Sequence, residues 1–371
     1  MWPHVGEFEV KVAIVHYWFV TRRGGEKVVE ELANIFPQAD LFTHVLDRSC
    51  LHESLAQKSF ATTFVNALPW AKRFYRYYLP LMPLALEQLD LRGYDLVISS
   101  ESGPAKGVIT GPDSLHLCYC ETPMRYIWDM APEYASASGP LKKALMAPWL
   151  HYLRLWDRLS ADRVDHFVAN SENVRRRILK HYRREATVIH PPVDTESYHL
   201  SDEQDDYYLL AGQLVGYKRA DLAVRAFNDF GRRLVVIGEG EELRALRSMA
   251  GANVEFLGWQ PDHVLSRYYA RCRALIFPGE EDFGMVPVEA MAAGRPVIAL
   301  ARGGALETVI EGETGLFFKD QTVDSLRATV LRFEAGDIVF DPQRIREHAL
   351  TFGRERFRNE IIKTVNNFLS R

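Results

Sequence analysis

The segment Phe277-Pro-Gly-Glu-Glu-Asp-Phe-Gly-Met-Val-Pro-Val-Glu289-Ala-Met-Ala-Ala-Gly294 lies between two short apolar runs, Ala274-Leu-Ile-Phe277 and Pro296-Val-Ile-Ala-Leu300. Each run predicts a strand that is covered on both faces. The segment between them predicts a glycine-containing loop and a helix from about Pro287 to a stop at Gly294. Strand, loop, helix and strand in this order indicate a parallel sheet.

Apolar runs alternate with helical patterns along the chain, which favours parallel sheets built from strand-helix-strand units. The first series comprises residues 11–16, 95–99, 115–119 and 166–170, and the second comprises residues 207–211, 233–237, 254–257, 274–277 and 296–300. The paired prolines Pro191 and Pro192 and the polar tract at residues 201–206 place a domain boundary near residues 190–205.

At 371 residues the chain is long for one hydrophobic core, and we expect two domains. The first is predicted over residues 1–195 and the second over residues 196–349. Residues 350–371 carry apolar side chains at helical spacing, which predicts a helix that packs back on the first domain.

Composition and charge argue against several classes of protein. A hydrophobic content of 47% and a charged content of 25% are typical of globular proteins. The formal net charge of −4 gives no reason to expect nucleic-acid binding. No apolar stretch approaches the roughly 18 residues of a membrane-spanning helix, and the first residues do not follow a signal-peptide pattern. We therefore expect a cytoplasmic location.

A glycine-containing turn follows the first strand of each series. Gly24 and Gly25 precede a helical pattern, so their bare amides either bind a phosphate or form a plain turn. Lys218 and Arg219 follow the strand at the edge where open parallel sheets bind ligands. Lys218 suits a phosphate as a point charge, whereas Arg219 either binds phosphate or pairs with Asp221.

Two carboxylates belong to the opening segment. Glu281 is predicted in the loop and Glu289 in the first turns of the helix. Both could accept hydrogen bonds from the hydroxyls of a ligand whose phosphates meet the loop amides. The alternative is that they are surface charges, one of them a partner of the helix dipole.

The Glu-x7-Glu spacing of these two residues, with the following Ala-Met-Ala-Ala-Gly-Arg-Pro-Val-Ile-Ala and Gly303-Gly304-Ala-Leu-Glu307, resembles the donor site of retaining glycosyltransferases of family 4. The resemblance implies an α/β protein of the GT-B fold, in which two Rossmann-like domains face each other across a donor-binding cleft. It covers nearly the whole chain and includes Gly24-Gly25, Asn170-Ser171, Pro191-Pro-Val-Asp194, Lys218, Gly258-Trp259 and the C-terminal helices.

The resemblance implies a role for each matching position. Glu281 would contact sugar hydroxyls and Glu289 the ribose, Gly25 and Lys218 would contact the diphosphate, and the Gly258-Trp259 loop would border the nucleobase. The implied donor-binding set is Gly24, Gly25, Gln213, Lys218, Arg219, Gly258, Trp259, Glu281, Phe283, Gly284, Met285, Val286 and Glu289. The nucleotide sugar is a substrate, and neither a metal nor another cofactor is implied, because positive side chains and helix dipoles stabilise the leaving diphosphate.

Two positions depart from the family pattern. Gln213 stands where arginine is common, which weakens diphosphate stabilisation unless Arg219 or Arg22 compensates. Glu121 stands where histidine occurs in the similar Cys-Tyr-Cys-His-Thr-Pro-Met-Arg-Tyr segment of bacterial O-antigen and exopolysaccharide mannosyltransferases. A glutamate there is either a functional substitution or a sign of altered or lost activity, and it donates a hydrogen bond only when its pKa is raised. We expect Glu121, Lys218 and Glu281 to be the catalytic residues.

The sequence patterns that predict acceptor binding are weaker than those that predict donor binding. Arg125 and Tyr126 are candidate acceptor contacts, with an ion pair from Arg125 to Asp129 as the alternative. Two segments, residues 68–83 and 142–156, mix basic and aromatic residues as membrane-interface helices do, although core helices with snorkelling cations explain them as well. A glycan or polyprenyl-diphosphate-linked acceptor would place the protein at the inner face of the cell membrane.

These observations predict transfer of a hexose, mannose from GDP-mannose by preference, to a lipid-linked or growing bacterial surface glycan such as lipopolysaccharide. A UDP-sugar-dependent transferase is the rival within the same class. A catalytically idle nucleotide- or glycan-binding homologue is the rival from another class, suggested by Glu121 and Gln213. A nicotinamide oxidoreductase is disfavoured because no Gly-x-Gly-x-x-Gly with a later acidic residue follows any predicted strand.

Overall fold

The computed structural model describes residues 10–131 and 139–369, with the backbone alone for residues 140–143. The chain divides into two compact units. The first ends at His190 and resumes at Arg358, and the second is Pro191–Phe357. The sequence predicts these divisions at residues 195 and 349.

The first unit contains a seven-stranded parallel sheet within its described residues, in the order β3-β2-β1-β4-β5-β6-β7. Its strands are β1 (Val12–Phe19), β2 (Asp40–Leu46), β3 (Phe60–Thr62), β4 (Leu96–Glu101), β5 (Leu115–Cys120), β6 (His166–Ala169) and β7 (Ala186–Val188). Its helices are α1 (Gly24–Ile35), α2 (Glu53–Ala56), α3 (Ala71–Phe74), α4 (Met82–Leu86), α5 (Pro140–Ser160) and α6 (Glu172–Tyr182). The central strands β1, β4 and β5 are buried along nearly their whole length, as expected where helices cover both faces.

The second unit contains a six-stranded parallel sheet within its described residues, in the order β10-β9-β8-β11-β12-β13. Its strands are β8 (Tyr208–Ala211), β9 (Leu234–Ile237), β10 (Val254–Gly258), β11 (Leu275–Phe277), β12 (Val297–Leu300) and β13 (Gly315–Phe318). Its helices are α7 (Ala220–Phe230), α8 (Leu243–Met249), α9 (Asp262–Arg271), α10 (Met285–Ala292), α11 (Ala305–Thr308), α12 (Val323–Glu334) and α13 (Pro342–Leu350), and the C-terminal helix α14 (Arg354–Leu369) begins here and ends in the first unit.

The predicted parallel α/β architecture is confirmed, and each predicted apolar run lies on a strand of the expected sheet. The strands β2, β3, β7 and β13 were not predicted. Three of these four lie at a sheet edge, and β3 and β7 have only three residues each, too few for a period to be recognised. Within the described ranges, no helix has both the length and the apolar character needed to cross a membrane.

A buried cation organises the core of the first unit. The Lys106 side chain is 0% exposed and forms ion pairs with Glu101 at 3.3 Å and with Asp157. Glu101 also accepts hydrogen bonds from the backbone amides of residues 105 and 106, at 2.7 and 2.8 Å. Asp157 accepts further bonds from Trp128 Nε1 at 2.7 Å and from the Tyr182 hydroxyl. These bonds compensate the loss of hydration that buried charges suffer.

This cluster fixes the segment that follows β5. The backbone amide of Glu121 donates to the carbonyl of Glu101 at 2.8 Å, directly after the last β4–β5 residue pair. The carboxylate of Glu101 meanwhile holds the loop after β4 through the amides of residues 105 and 106. The position of Glu121 therefore depends on the buried pair between Glu101 and Lys106.

Replacing Lys106 with methionine should destabilise the protein by about 3–5 kcal/mol, because Glu101 and Asp157 would lose their buried counter-charge. Urea unfolding followed by circular dichroism measures the change. The matched control is Arg92→Met, which removes a cation from an exposed pair with Asp90 and should leave unfolding unchanged. Equal stability of the two variants would contradict the role given to Lys106.

Candidate functional site

An ion pair joins two loops at the carboxyl edge of the second sheet. Lys218 lies in the turn after β8, Glu281 lies in the loop after β11, and Lys218 Nζ is 2.8 Å from Glu281 Oε1. The side chains are 19% and 17% exposed. Burial opposes the ammonium charge, but Glu281 and the more distant Glu289 outweigh it and raise the pKa of Lys218. Lys218 therefore remains charged, and both side chains stay within reach of solvent.

The backbones of these loops pack too closely for side chains at three glycines. A Cβ at Gly279 would lie 2.7 Å from the Cα of Lys218, and one at Gly304 would lie 2.2 Å from the carbonyl oxygen of Phe283. Gly303 has φ +61°, and its Cβ would lie 2.4 Å from the carbonyl oxygen of Glu281. Such contacts exclude any side chain, so glycine is required for the loop to keep its shape.

Glu289 is held on α10 by tyrosines. It lies in the second turn of the helix, is 7% exposed, and accepts a hydrogen bond from the Tyr269 hydroxyl at 3.0 Å. Burial and the neighbouring Glu289 carboxylate raise the pKa of both Tyr269 and Tyr198, so these phenols remain donors. The predicted position in the first turns of the helix is confirmed. Sequence reasoning missed both tyrosines, because they are 20 and 91 residues away from Glu289.

The start of α10 presents backbone groups. Gly284 precedes the helix with φ +86°, in the left-handed region that glycine adopts at little cost. The ring of Phe283 is 3% exposed and packs edge-on against Phe352 at 5.8 Å. Phe283 therefore offers a ligand its backbone rather than its ring. The helix start that follows, at Met285 and Val286, supplies the amides expected for a phosphate.

The remaining predicted donor residues of this unit divide by environment. Gln213 makes no side-chain hydrogen bond to any of the described residues. Arg219 binds Asp221 at 2.9 Å and Gln321 at 3.1 Å, which favours the pairing alternative; its donor role stays a prediction. Gly258 ends β10 with φ +68°, and the next side chain, Trp259, is 68% exposed. An exposed indole is suited to stacking on a planar ring.

The glycine turn of the first unit lies against Glu121. A Cβ at Gly25 would be 2.6 Å from Glu121 Oε2 and 2.8 Å from the Tyr17 hydroxyl, so the carboxyl occupies the space beside the start of α1. Ser100 Oγ donates to Glu121 Oε1 at 2.7 Å. Arg22 is engaged with Glu30 at 2.8 and 3.0 Å, and its compensation for Gln213 stays a prediction.

Burial raises the pKa of the two carboxylic acids near Gly25, Glu121 and Glu26. Burial raises the pKa of Glu121 to about 8, opposed by the hydrogen bond from Ser100 and reinforced by the charges of Glu26 and Glu101. Burial likewise raises the pKa of Glu26 to about 7, opposed by backbone hydrogen bonds. At neutral pH Glu121 is therefore mostly a neutral carboxylic acid, the condition under which it donates a hydrogen bond.

The predicted acceptor residues lie in the segment after Glu121. Arg125 and Tyr126 are partly buried, and the Tyr126 hydroxyl contacts Met124 Sδ at 2.8 Å. The alternative prediction for Arg125 is an ion pair with Asp129. In the structure, Asp129 accepts a hydrogen bond from Arg177 at 2.6 Å. The acceptor role of both residues stays a prediction.

Two family models together match residues 22–350 of the chain. The model described as Glycosyltransferase Family 4 matches residues 22–197, and the model described as Glycosyl transferases group 1 matches residues 195–350. Together they cover the second sheet, every strand of the first sheet except β1, and the predicted site residues of each unit. The chain belongs to glycosyltransferase family 4.

Other proteins and structures agree with this family. The GDP-mannose-dependent alpha-(1-6)-phosphatidylinositol monomannoside mannosyltransferase of Mycolicibacterium smegmatis is 31% identical over 167 residues, 40% of this chain and 42% of that protein. The alpha-1,3/1,6-mannosyltransferase alg2 of Schizosaccharomyces pombe is 26% identical over 275 residues, 60% of this chain and 52% of that protein. The chain thus spans about half the length of the curated relatives it matches.

Solved structures establish the GT-B fold. The crystal structure of Anabaena HepE in complex with UDP and glucose superimposes with a TM-score of 0.72 at 16% identity, covering 96% of this chain and 100% of that one. The sucrose-phosphate synthase of Thermosynechococcus elongatus gives a TM-score of 0.69 at 19% identity, covering 98% of each chain. The two Rossmann-like sheets predicted from the sequence are confirmed.

Replacing Glu121 with glutamine should change how the stability of the glycosyltransferase depends on pH. The pKa of Glu121 is higher in the folded chain than in the unfolded chain, so the folded state binds the extra proton and loses stability as pH rises from about 4.5 to 8. Between pH 6 and pH 9 the wild type should lose about 3 kcal/mol more than Glu121→Gln. Urea unfolding at both pH values measures this difference, and parallel pH dependences would contradict the raised pKa.

Proposed function

We propose that the protein is a retaining hexosyltransferase that moves mannose from GDP-mannose to a lipid-linked or polysaccharide acceptor of bacterial surface glycan synthesis. The observation that carries the proposal is the Lys218–Glu281 pair beside the start of α10, with Glu289 held in the second turn of the helix. A cation, helix amides and two oriented carboxylates are the groups that a sugar diphosphate requires. The names of the mannosyltransferase relatives support mannose as the sugar.

The proposed reaction exchanges two bonds at the anomeric carbon. The bond between the sugar and the donor phosphate breaks, the acceptor oxygen bonds to the same face, and the acceptor proton passes to the leaving phosphate. The products are the glycosylated acceptor and the nucleoside diphosphate. Lys218 stabilises the charge that develops on the leaving group, and Glu281 orients sugar hydroxyls. We propose that no metal is needed, so activity should survive EDTA.

The identity of the donor nucleotide and its contacts are also proposed. The base would stack on Trp259, whose exposed face accepts any planar ring, and the ribose hydroxyls would bind Glu289. Guanine rather than uracil is favoured by the relative named for its use of GDP-mannose. A UDP-sugar-dependent transferase is the outcome that a nucleotide comparison would distinguish.

Replacing Lys218 with methionine should lower kcat about 10²–10³-fold, because the developing phosphate charge loses its cation. Mannose transfer from GDP-mannose measures the loss, and Lys319→Met, which removes an exposed cation outside the site, is the matched control. GDP and GDP-mannose should also raise the melting temperature of the wild type more than UDP and UDP-glucose do. A larger shift with the UDP compounds would move the proposal to a UDP-sugar donor.

Full activity of Lys218→Met would contradict the proposal, whichever nucleotide binds. Nucleotide binding by the wild type without sugar transfer or donor hydrolysis for any common donor would instead favour the idle homologue.

The first unit also carries an exposed aromatic and basic patch, which we propose contacts an anionic membrane. Trp70 and Tyr77 are each 77% exposed, and Phe74 lies between them with ring centroids 6.2 and 6.0 Å away. Trp70 adopts φ +48°, a conformation that costs a non-glycine residue energy. The patch is completed by the exposed cations Lys72, Arg73 and Arg76.

Charge complementarity and amphipathic side chains both favour a lipid surface as the occupant of this patch. Aromatic rings settle at the headgroup level, and cations attract anionic lipids. The helix α5 adds exposed apolar side chains at helical spacing, namely Leu145, Trp149, Tyr152, Leu155 and Leu159. The predicted cations Lys142 and Lys143 have side chains outside the described part of the chain.

The double variant Trp70→Ser and Tyr77→Ser should bind vesicles of phosphatidylglycerol and phosphatidylethanolamine about tenfold more weakly, because two exposed rings no longer insert. Vesicle flotation measures the partition, which should also weaken as salt is raised. Trp259→Ser, which removes an indole that is 68% exposed from the second unit, is the control and should bind as the wild type does. Unchanged flotation of the double variant would contradict membrane contact by this patch.

A further inference from the structure

A chain of polar side chains runs from Glu121 into the first sheet. Ser100 Oγ lies 2.7 Å from Glu121 Oε1 and 3.1 Å from His16 Nδ1. Ser100 is fully buried and His16 is 1% exposed, and the two residues are direct partners in the β1–β4 register. Neither is among the predicted site residues, and each reaches the site only through Glu121.

The positions of the protons determine which side chain donates each of these hydrogen bonds. Burial lowers the pKa of His16 to about 3, so the imidazole is neutral and carries one N–H. His16 Nε2 is buried and has no hydrogen-bond partner within the described residues. A buried N–H without a partner is rarer than a buried acceptor without one, which places the proton on Nδ1. His16 then donates to Ser100 Oγ.

The Ser100 hydroxyl, which accepts from His16, donates its own proton to Glu121 Oε1. Because Oε1 accepts that bond, the acid proton of a neutral Glu121 belongs on Oε2. Both oxygens lie beside the start of α1, with Oε2 at 2.6 Å and Oε1 at 2.9 Å from the Cβ position of Gly25. The hydrogen-bond chain from His16 through Ser100 therefore selects the oxygen that carries the proton.

We propose that Ser100 and His16 are positioning residues that keep the acid proton of Glu121 on Oε2, where it donates a hydrogen bond to an oxygen of the nucleotide sugar. The identity of the ligand rests on the proposed function. The orientation of the acid does not, because it follows from contacts within the first unit. Glu121 would touch the substrate, whereas Ser100 and His16 act through it.

Other titratable groups also face Glu121. They are Tyr17 on β1, Glu26 on α1 and Glu101 on β4. Glu101 has Lys106 as its counter-charge, and burial keeps the pKa of Tyr17 well above its usual value. Burial raises the pKa of Glu101 despite Lys106, and it raises the pKa of Glu26 to about 7. A Glu26→Gln variant therefore separates the two acids.

The first test is the pH profile of sugar transfer. In the wild type, kcat/KM should fall as pH rises through about 8, because the donated proton is lost. Glu121→Gln keeps a donor at the Oε2 position and should retain activity within about tenfold, without the alkaline fall. Glu121→Ala should lose on the order of 100-fold, and Glu26→Gln should keep the alkaline fall. Equal inactivity of Glu121→Gln and Glu121→Ala would overturn the acid role.

The second test concerns the positioning residues. Ser100→Ala should lower kcat on the order of tenfold with little change in KM, and should move the alkaline fall to higher pH, because the carboxylate loses a donor. His16→Leu should lower kcat in the same way, whereas His16→Asn, which retains a side-chain N–H donor, should restore most of it. If Ser100→Ala does not fold, the two His16 variants decide the question. Wild-type kcat and pH profile in Ser100→Ala, or equal kcat for both His16 variants, would overturn the proposal.

An infrared measurement separates this proposal from the proposed function. The wild type at pH 7 should show a carboxylic-acid C=O band that is missing in Glu121→Gln and shifted in Ser100→Ala. If the wild type transfers no sugar from any donor, the proposed function fails while this band still reports the acid. Absence of the band at pH 7 overturns the positioning proposal even in an active enzyme.

Discussion

The ion pair between Lys218 and Glu281 sets the geometry of the second unit's site. It ties the turn after β8 to the loop after β11, and the glycines beneath it let the two backbones touch. The same loop leads into α10, which carries Glu289 on its second turn. Because the pair lies near solvent, a ligand can reach it: Lys218 can bind a phosphate and Glu281 can accept hydrogen bonds from hydroxyls, in place of part of their contact with each other.

Burial raises the pKa of both Glu101 and Glu121, but the partners of the two acids differ. Glu101 is fully buried and has Lys106 and two backbone amides that oppose the rise. Glu121 stands one strand away and is surrounded by Ser100, Tyr17, Glu26 and Glu101, so burial favours its neutral form. The substitution that sets this chain apart from the resembled mannosyltransferase segment therefore keeps a hydrogen-bond donor at that position by a different chemical route.

Much of the fold could be predicted because its cause is local. Buried parallel strands require continuous apolar runs, and a helix start requires a turn, so the segment from 274 to 300 was read correctly from its sequence. The partners of the site could not be predicted. Tyr269 donates a hydrogen bond to Glu289, which lies 20 residues further along the chain. Ser100 bonds to His16 and to Glu121, which are 84 and 21 residues away in the sequence and become its neighbours only in the folded sheet. The donor and acceptor roles of the predicted residues remain predictions.

The central claim is that the second unit binds a nucleotide sugar through Lys218, Glu281 and Glu289. A crystal structure of the wild type with GDP-mannose bound tests it most directly. The account predicts sugar hydroxyls within hydrogen-bond distance of Glu281, the diphosphate at Lys218 and the start of α10, and the ribose at Glu289. A ribose bound only by residues of the first unit would contradict it.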